Sequence, residues 1–314
     1  TSSSCLSGSV QTLHRIRFGD LTLVIIIGVF WGLNWPAVKF ILSEIPPWSL
    51  RATGLSCGAI LLAALAIYMG QSLRPARAER LPLVIAGLLS VLGFNILTAF
   101  GQLHTQTSTA VIIAFTMPMW TAVLSIFFLG ERLTWRRASA LAVGLAGLAL
   151  LVSGDLSGFV SQPMGPLYML GAAVSWAAGT VVLKSRTWSI KPIAQAAWML
   201  GVSAPLAILA GFLTEYDGLP DLPSPAVLIT MVYHILFPMV ICYAAWSALV
   251  GRLPASVSAM GTLLVPVVGL TSATVLLGDA LSWQKIVALT CVLLSIGLSF
   301  AKSNSPQNID EKKL

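Results

Sequence analysis

The stretch LGERLTW at residues 129–135 returns as LGDALSW at residues 277–283, 148 positions later. The same offset carries Pro118 onto Pro266. Trp31 and Lys39 recur as Trp176 and Lys184 at an offset of 145, with the same spacing in each copy. Two near-equal offsets over so long a reach imply duplication of a unit that fills half the chain.

Composition says what the unit is made of. Of 314 residues, 57% are hydrophobic and 9% are charged, whereas soluble domains carry roughly 25% charged residues. Mean hydropathy is +0.88. Apolar stretches repeatedly reach the ~20 residues that span a bilayer. They fall at about 20–42, 48–69, 81–102, 107–129, 135–153, 165–185, 192–213, 226–249, 255–277 and 284–301. The expected fold class is therefore an all-α integral membrane protein of ten transmembrane helices.

Charge placement orients it. A net charge of +7 would suggest nucleic acid in a soluble protein, but here Lys and Arg occupy short loops between spans. With the N-terminus cytoplasmic, fifteen of the eighteen cations share one face, leaving Lys39, Arg51 and Lys285 on the other. That face carries Glu44, Asp155, Glu215, Asp217, Asp221 and Asp279 instead. The asymmetry obeys the positive-inside rule with both termini in the cytoplasm.

Five spans per unit is odd, so the second copy enters the membrane from the opposite side. Arg132, Arg136 and Arg137 beside the first hairpin become Ala280, Gln284 and Lys285 beside the second. Two inverted five-helix repeats around a central cavity are expected, a plan that builds many secondary transporters. The expected divisions are a cytoplasmic segment at 1–19, repeats at 20–153 and 165–301, and a disordered cytoplasmic tail at 303–314. Thr1–Asp20 is polar and no small-residue cleavage site follows, so the first apolar run reads as a retained helix. Cys5, Cys57, Cys242 and Cys291 show no disulfide or metal spacing. No cofactor, metal or nucleic-acid partner is expected. The expected partners are a small-molecule substrate and the lipid bilayer, and a monomer is compatible with the pattern.

Ten spans in a five-plus-five duplication, Pro118 eleven residues before the LGERLT hairpin, and the degraded second copy resemble the drug/metabolite transporter superfamily, EamA type. The resemblance covers about residues 20–301. Within it, GVFWGLNWPAVKF in the first span and the Trp-rich later spans look most like YddG-type aromatic amino-acid exporters. The resemblance implies a ten-helix basket around a substrate cavity, with the fourth and ninth helices at the pseudo-twofold axis. It also implies export of amino acids or other small metabolites across a bacterial inner membrane by alternating access.

Polar groups inside a span are costly and mark function. Asn34, Asn95, Thr98, Gln102, His234 and Tyr243 are such groups, and Asn and Gln can meet both ends of a zwitterion. Each can equally bond a neighbouring helix. Trp31 and Trp176, at repeat-equivalent positions, and Trp198 are the deep indoles that could face the path. Lys39, and similarly Arg51, could meet a substrate carboxylate at the outer mouth, or snorkel to headgroups. Pro118 and Pro266 are hinge candidates, and a symmetric kink in the fourth and ninth helices is expected. Gly54 and Gly58, and Gly171, Ser175 and Gly179, mark small-residue faces for tight helix contact.

No Asp or Glu falls within the core of any span, which points to a facilitator or weakly coupled exporter rather than proton or sodium coupling. Alternatives are an exporter of drugs or organic cations, or a substrate-selective channel. A membrane enzyme is disfavoured, because the three histidines are far apart and no intramembrane acid accompanies them.

Overall fold

The computed structural model describes residues 18–131, 134–216, 222–250 and 255–300. The N-terminal segment, the C-terminal tail, Arg132 and the Asp217–Asp221 turn named above lie outside them. Among the described residues the secondary structure is helical throughout, with no strand. The helices are α1 (Phe18–Ile41), α2 (Pro47–Tyr68), α3 (Arg77–His104), α4 (Thr107–Leu129), α5 (Trp135–Ser153), α6 (Met164–Lys184) and α7 (Pro192–Thr214). They continue with α8 (225–250), α9 (Ala255–Leu277) and α10 (Trp283–Phe300), and a short helix, Leu156–Ser161, lies between α5 and α6. Seven are long and apolar enough to cross a membrane, namely α1–α4 and α6–α8. Ala138–Ser153, Leu263–Leu277 and Trp283–Leu298 are shorter apolar stretches within α5, α9 and α10.

Starts and stops follow local chemistry. Proline opens α2, α7 and α8, where its missing N–H is not needed. The LGE and LGD hairpins end α4 and α9 at Gly130 (φ +66°) and Gly278 (φ +72°), a left-handed conformation that glycine adopts freely. In both, the following acidic residue's N–H reaches back into the helix, from Glu131 to the Ser125 carbonyl and from Asp279 to the Ala273 carbonyl.

Two helices carry a widened turn. In α3 it is Gly87–Gly93 and in α8 it is Ile235–Cys242, segments whose starts are again 148 apart. Such π turns often mark functional sites. The proline at the middle of α4 behaves differently from its partner. The helix breaks at Phe115 and Thr116, where Pro118 would crowd the Ala114 carbonyl. The Thr116 hydroxyl donates to the buried Ile113 carbonyl at 2.6 Å. By contrast α9 runs through Pro266 without interruption, so the interruption is confined to one copy.

The main pairings are α2 with α7, α1 with α9, α5 with α10, and α6 with both α3 and α4. Small residues set several of these distances. A Cβ on Gly28 would lie 2.6 Å from the Leu264 Cβ, and one on Gly58 would lie 2.8 Å from the Leu200 side chain. The bundle's outside is apolar, with Ile60, Phe127, Phe128, Phe212, Ile229 and Val275 all exposed. A surface this apolar would aggregate in water and suits acyl chains.

Candidate functional site

The polar residues named from sequence do not scatter over the bundle. The Asn34 side-chain oxygen on α1 lies 2.7 Å from Nδ1 of His234 on α8, and His234 is fully buried. The imidazole rests against α2 where Gly54 has no side chain: a Cβ there would be 3.0 Å from His234 Nε2. One turn before Gly54 stands Arg51, only 2% exposed. Its Nε donates to the Asn95 carbonyl at 2.8 Å, and one terminal nitrogen approaches the Thr98 hydroxyl at 3.4 Å. The Asn95 amide donates to the Val91 carbonyl at 2.8 Å, within the widened turn in α3. Asn34 and His234 thus pair across α1 and α8, and Arg51, Asn95 and Thr98 across α2 and α3, the two groups meeting along the Arg51–Gly54 turn of α2.

An aromatic wall stands beside it. Trp31 meets Tyr243 edge-on with ring centroids 5.7 Å apart, and Trp246 lies 6.2 Å from Trp31. The Trp31 indole donates to the Pro238 carbonyl at 3.1 Å, inside the widened turn of α8. Its repeat-equivalent, Trp176, packs edge-on against Phe94 with centroids 4.9 Å apart. Gln102 is buried nearer the end of α3, its side-chain oxygen without a protein partner. Lys39 donates to the Gln102 backbone carbonyl, at the negative end of the α3 dipole. Trp198 stands apart from this network: it is 37% exposed and its indole donates to the Leu73 carbonyl in the α2–α3 connection.

The residue whose importance the sequence understated is Arg51. Proximity to the start of α2 made it look like Lys39, a charge at the membrane edge. It is the fifth residue of the helix, about 6 Å in at 1.5 Å per residue. It is a cation on the cation-poor face, which was the available signal. Its acceptor is a backbone carbonyl on α3, which leaves no trace in sequence.

Each end of the bundle is tied by a carboxylate. At the end where α2 begins, Glu44 accepts from the Ser224 N–H at 2.6 Å and from its hydroxyl at 2.7 Å. At the end where α2 finishes, Glu79 accepts from the Ser189 N–H and, at 2.9 Å, from its hydroxyl. The offset of 145 that relates Trp31 to Trp176 carries Glu44 onto Ser189 and Glu79 onto Ser224. The two ties are one contact in two copies, with acid and serine exchanged. Glu215 also grips the start of α2, accepting from the Trp48 and Ser49 N–H groups, each at 2.8 Å.

Ser224 holds the Glu44 carboxyl below its ordinary pKa of 4.5, first through its N–H and then through its hydroxyl. A depressed carboxylate contributes above its unfolded pKa and loses that contribution as pH falls through the folded one. The Glu44 tie is therefore expected to hold at neutral pH and to release only below pH 4.5. Labelling of Gln102→Cys beneath it, followed from pH 7 down to pH 4, checks this. A rate that rises already near pH 6 would refute it.

A polar cavity of about 330 Å³ at the Glu44 end is lined by His104, Gln106, Asp155, Gln162, Ser282 and Lys285 among others. The Lys285 ammonium is fully engaged there, by Gln106 at 2.6 Å, Ser108 at 2.8 Å and the Ala280 carbonyl at 2.7 Å. Among the described residues no cluster of His, Cys, Asp or Glu could hold a metal ion.

Comparison with known proteins gives this architecture a family. The "Uncharacterized transporter YvbV" of Bacillus subtilis is 28% identical over 284 residues, covering 90% of this chain and 92% of that protein. The "Probable amino-acid metabolite efflux pump" of Escherichia coli is 28% identical over 287 residues, covering 89% and 93%. Its Salmonella typhimurium namesake is also 28% identical, over 296 residues. A crystal structure 21% identical in sequence superposes with a TM-score of 0.65, covering 90% of this chain and 96% of that one, and so shares the fold. The model of the EamA-like transporter family matches residues 18–153 and again 163–301. The chain is a multi-pass membrane protein that belongs to the EamA-like transporter family.

Proposed function

We propose that this transporter exports small metabolites, foremost amino acids with aromatic or other neutral side chains, across the bacterial inner membrane. It does so by alternating access between two inverted halves of five spans each, with both termini cytoplasmic. The observation that carries the reading is the pair of carboxylate–serine ties, one at each end of the bundle, related by the internal repeat with their partners exchanged. Exchanging the halves also turns the α1–α9 pairing into the α6–α4 pairing, and the α1–α8 contact into α6–α3. It returns α2–α7 and α5–α10 to themselves. A bundle built this way has two nearly equivalent conformations, opening one end or the other around a shared site. Arg51 on the start of α2, the Asn34–His234 pair and the Trp31–Tyr243 rings offer polar groups and aromatic faces to an amino acid.

Efflux from proteoliposomes loaded with labelled phenylalanine tests the reading. Saturable efflux, competed by other neutral amino acids, is expected. Linear efflux without competition would mean a channel.

The described carboxylates with placed side chains sit in loops or first turns, at Glu44, Glu79, Glu131, Asp155, Glu215 and Asp279. No acid is poised at the buried network to carry a proton. Transport is therefore expected to follow the substrate gradient. With equal phenylalanine on both sides, an imposed pH gradient should drive no net movement, and uphill accumulation would refute this.

A further inference from the structure

Arg51 poses a physical problem that the protein does not itself solve. A guanidinium taken out of water is costly unless its charge is matched and its donors are used. Two of its nitrogens are used, on the Asn95 carbonyl and the Thr98 hydroxyl, both uncharged groups. The other terminal nitrogen, Nη1, is buried and finds no acceptor among the described residues. No carboxylate among the described residues pairs with Arg51, the acids being held in loops and first turns by serine and backbone N–H groups. Against Gly54, one turn along α2, Nε2 of His234 on α8 is likewise buried and without a partner among the described residues. Beside both stands the Trp31–Tyr243 pair.

Resting on the transporter reading above, we infer that Arg51 holds the carboxylate of the transported substrate, with His234 Nε2 beside it and the aromatic pair against its apolar body. The missing counter-charge arrives with the ligand. Arg51 rather than Lys39 takes this role, because Lys39 is only half-buried, whereas Arg51 is buried and keeps one unpartnered nitrogen. A site with a fixed cation and no fixed anion rejects ligands whose only charge is positive. The substrate class is thus carboxylates with an apolar or aromatic body, and organic amines are excluded. The ammonium of an amino acid is tolerated through neutral oxygens but not required.

The test uses three probes of one shape: phenylalanine, 3-phenylpropionate and phenethylamine. In proteoliposomes the wild type is expected to carry the two carboxylates and not the amine. Arg51→Gln should lower carboxylate flux by about tenfold or more, the scale of a lost charge-assisted hydrogen bond, and Arg51→Lys by less. If the wild type carries phenethylamine as fast as phenylalanine, the inference is overturned while the transporter reading stands. If Arg51→Gln does not fold, the wild-type ranking of the three probes decides alone. If no probe is carried, the transporter reading loses its substrate class, and thermal unfolding of the detergent-solubilised wild type decides the site. Stabilisation by 3-phenylpropionate but not phenethylamine supports it, and equal or absent shifts overturn it.

Discussion

Replacing Gly179 by leucine is expected to destroy the packing of α6 on α3 and, with it, the folded protein. A Cβ at Gly179 would lie 2.6 Å from the Ser90 Cβ and 2.7 Å from the Ser90 backbone nitrogen. Ser90 cannot retreat. It lies within the widened turn Gly87–Gly93, is 3% exposed, and donates its hydroxyl to the Ala86 carbonyl at 2.6 Å. One turn earlier on α6, Ser175 donates to the Leu89 carbonyl at 2.7 Å, so the two helices are bolted where Gly179 touches. Leucine would add three more carbons beyond a Cβ that already meets backbone. Overpacking of this kind costs about 3 kcal/mol or more. Alanine at the same place should fall between wild type and leucine. Gly297 is the contrast, since it is exposed on α10 and a Cβ there meets nothing within 4 Å. Gly297→Ala should be neutral or slightly stabilising through helix propensity. Unfolding temperatures of the purified variants in detergent check the series. Equal temperatures for Gly179→Leu and wild type would mean that α6 does not seat on α3 in this way.

The second large effect concerns the end ties, and its signature is a reversal. Glu79→Gln weakens one tie by replacing two charge-assisted contacts with neutral ones, and Glu44→Gln does the same at the opposite end. Both ties are made in this one structure. If the two ties hold opposite mouths, each substitution should populate opening at its own end and deplete it at the other. Ala194→Cys reports on the Glu79 end, because Ala194 is fully buried in the first turn of α7, close after Ser189. Gln102→Cys reports on the Glu44 end, near the finish of α3. In a background lacking the four native cysteines, Glu79→Gln should speed labelling of Ala194→Cys several-fold and slow that of Gln102→Cys. Glu44→Gln should do the reverse. Parallel acceleration at both reporters would show that the ties merely brace the fold and do not divide it into two gates. Transport should slow in both variants, since a cycle needs each end to close in turn.

Sequence alone carried a long way here because a membrane protein's constraints are written in composition and order. A bilayer requires long apolar helices, so spans are visible as runs: seven of the ten expected spans are helices long and apolar enough to cross, with edges within a few residues, and the other three hold shorter apolar stretches. The duplication is visible because the LGERLTW hairpin and its copy need the same glycine at the same left-handed turn, Gly130 and Gly278. Asn34, Asn95, Thr98 and His234 stood out because a polar group inside a span has few reasons to be there.

What only the tertiary structure decided is which of those groups meet. Asn34 and His234 are 200 positions apart, and nothing local distinguishes their pairing from a bond to lipid-facing backbone. Arg51 turned inward because its acceptor is a carbonyl on a neighbouring helix, and backbone groups look alike at every position. Trp198 resembled the other deep indoles in sequence yet points to the Leu73 carbonyl, since a helix buries only one side and its apolar pattern here is nearly uniform around the axis. In lipid, hydrophobicity no longer separates inside from outside. The duplicated spans could be read residue by residue, but the inward side of each was set by contacts between helices.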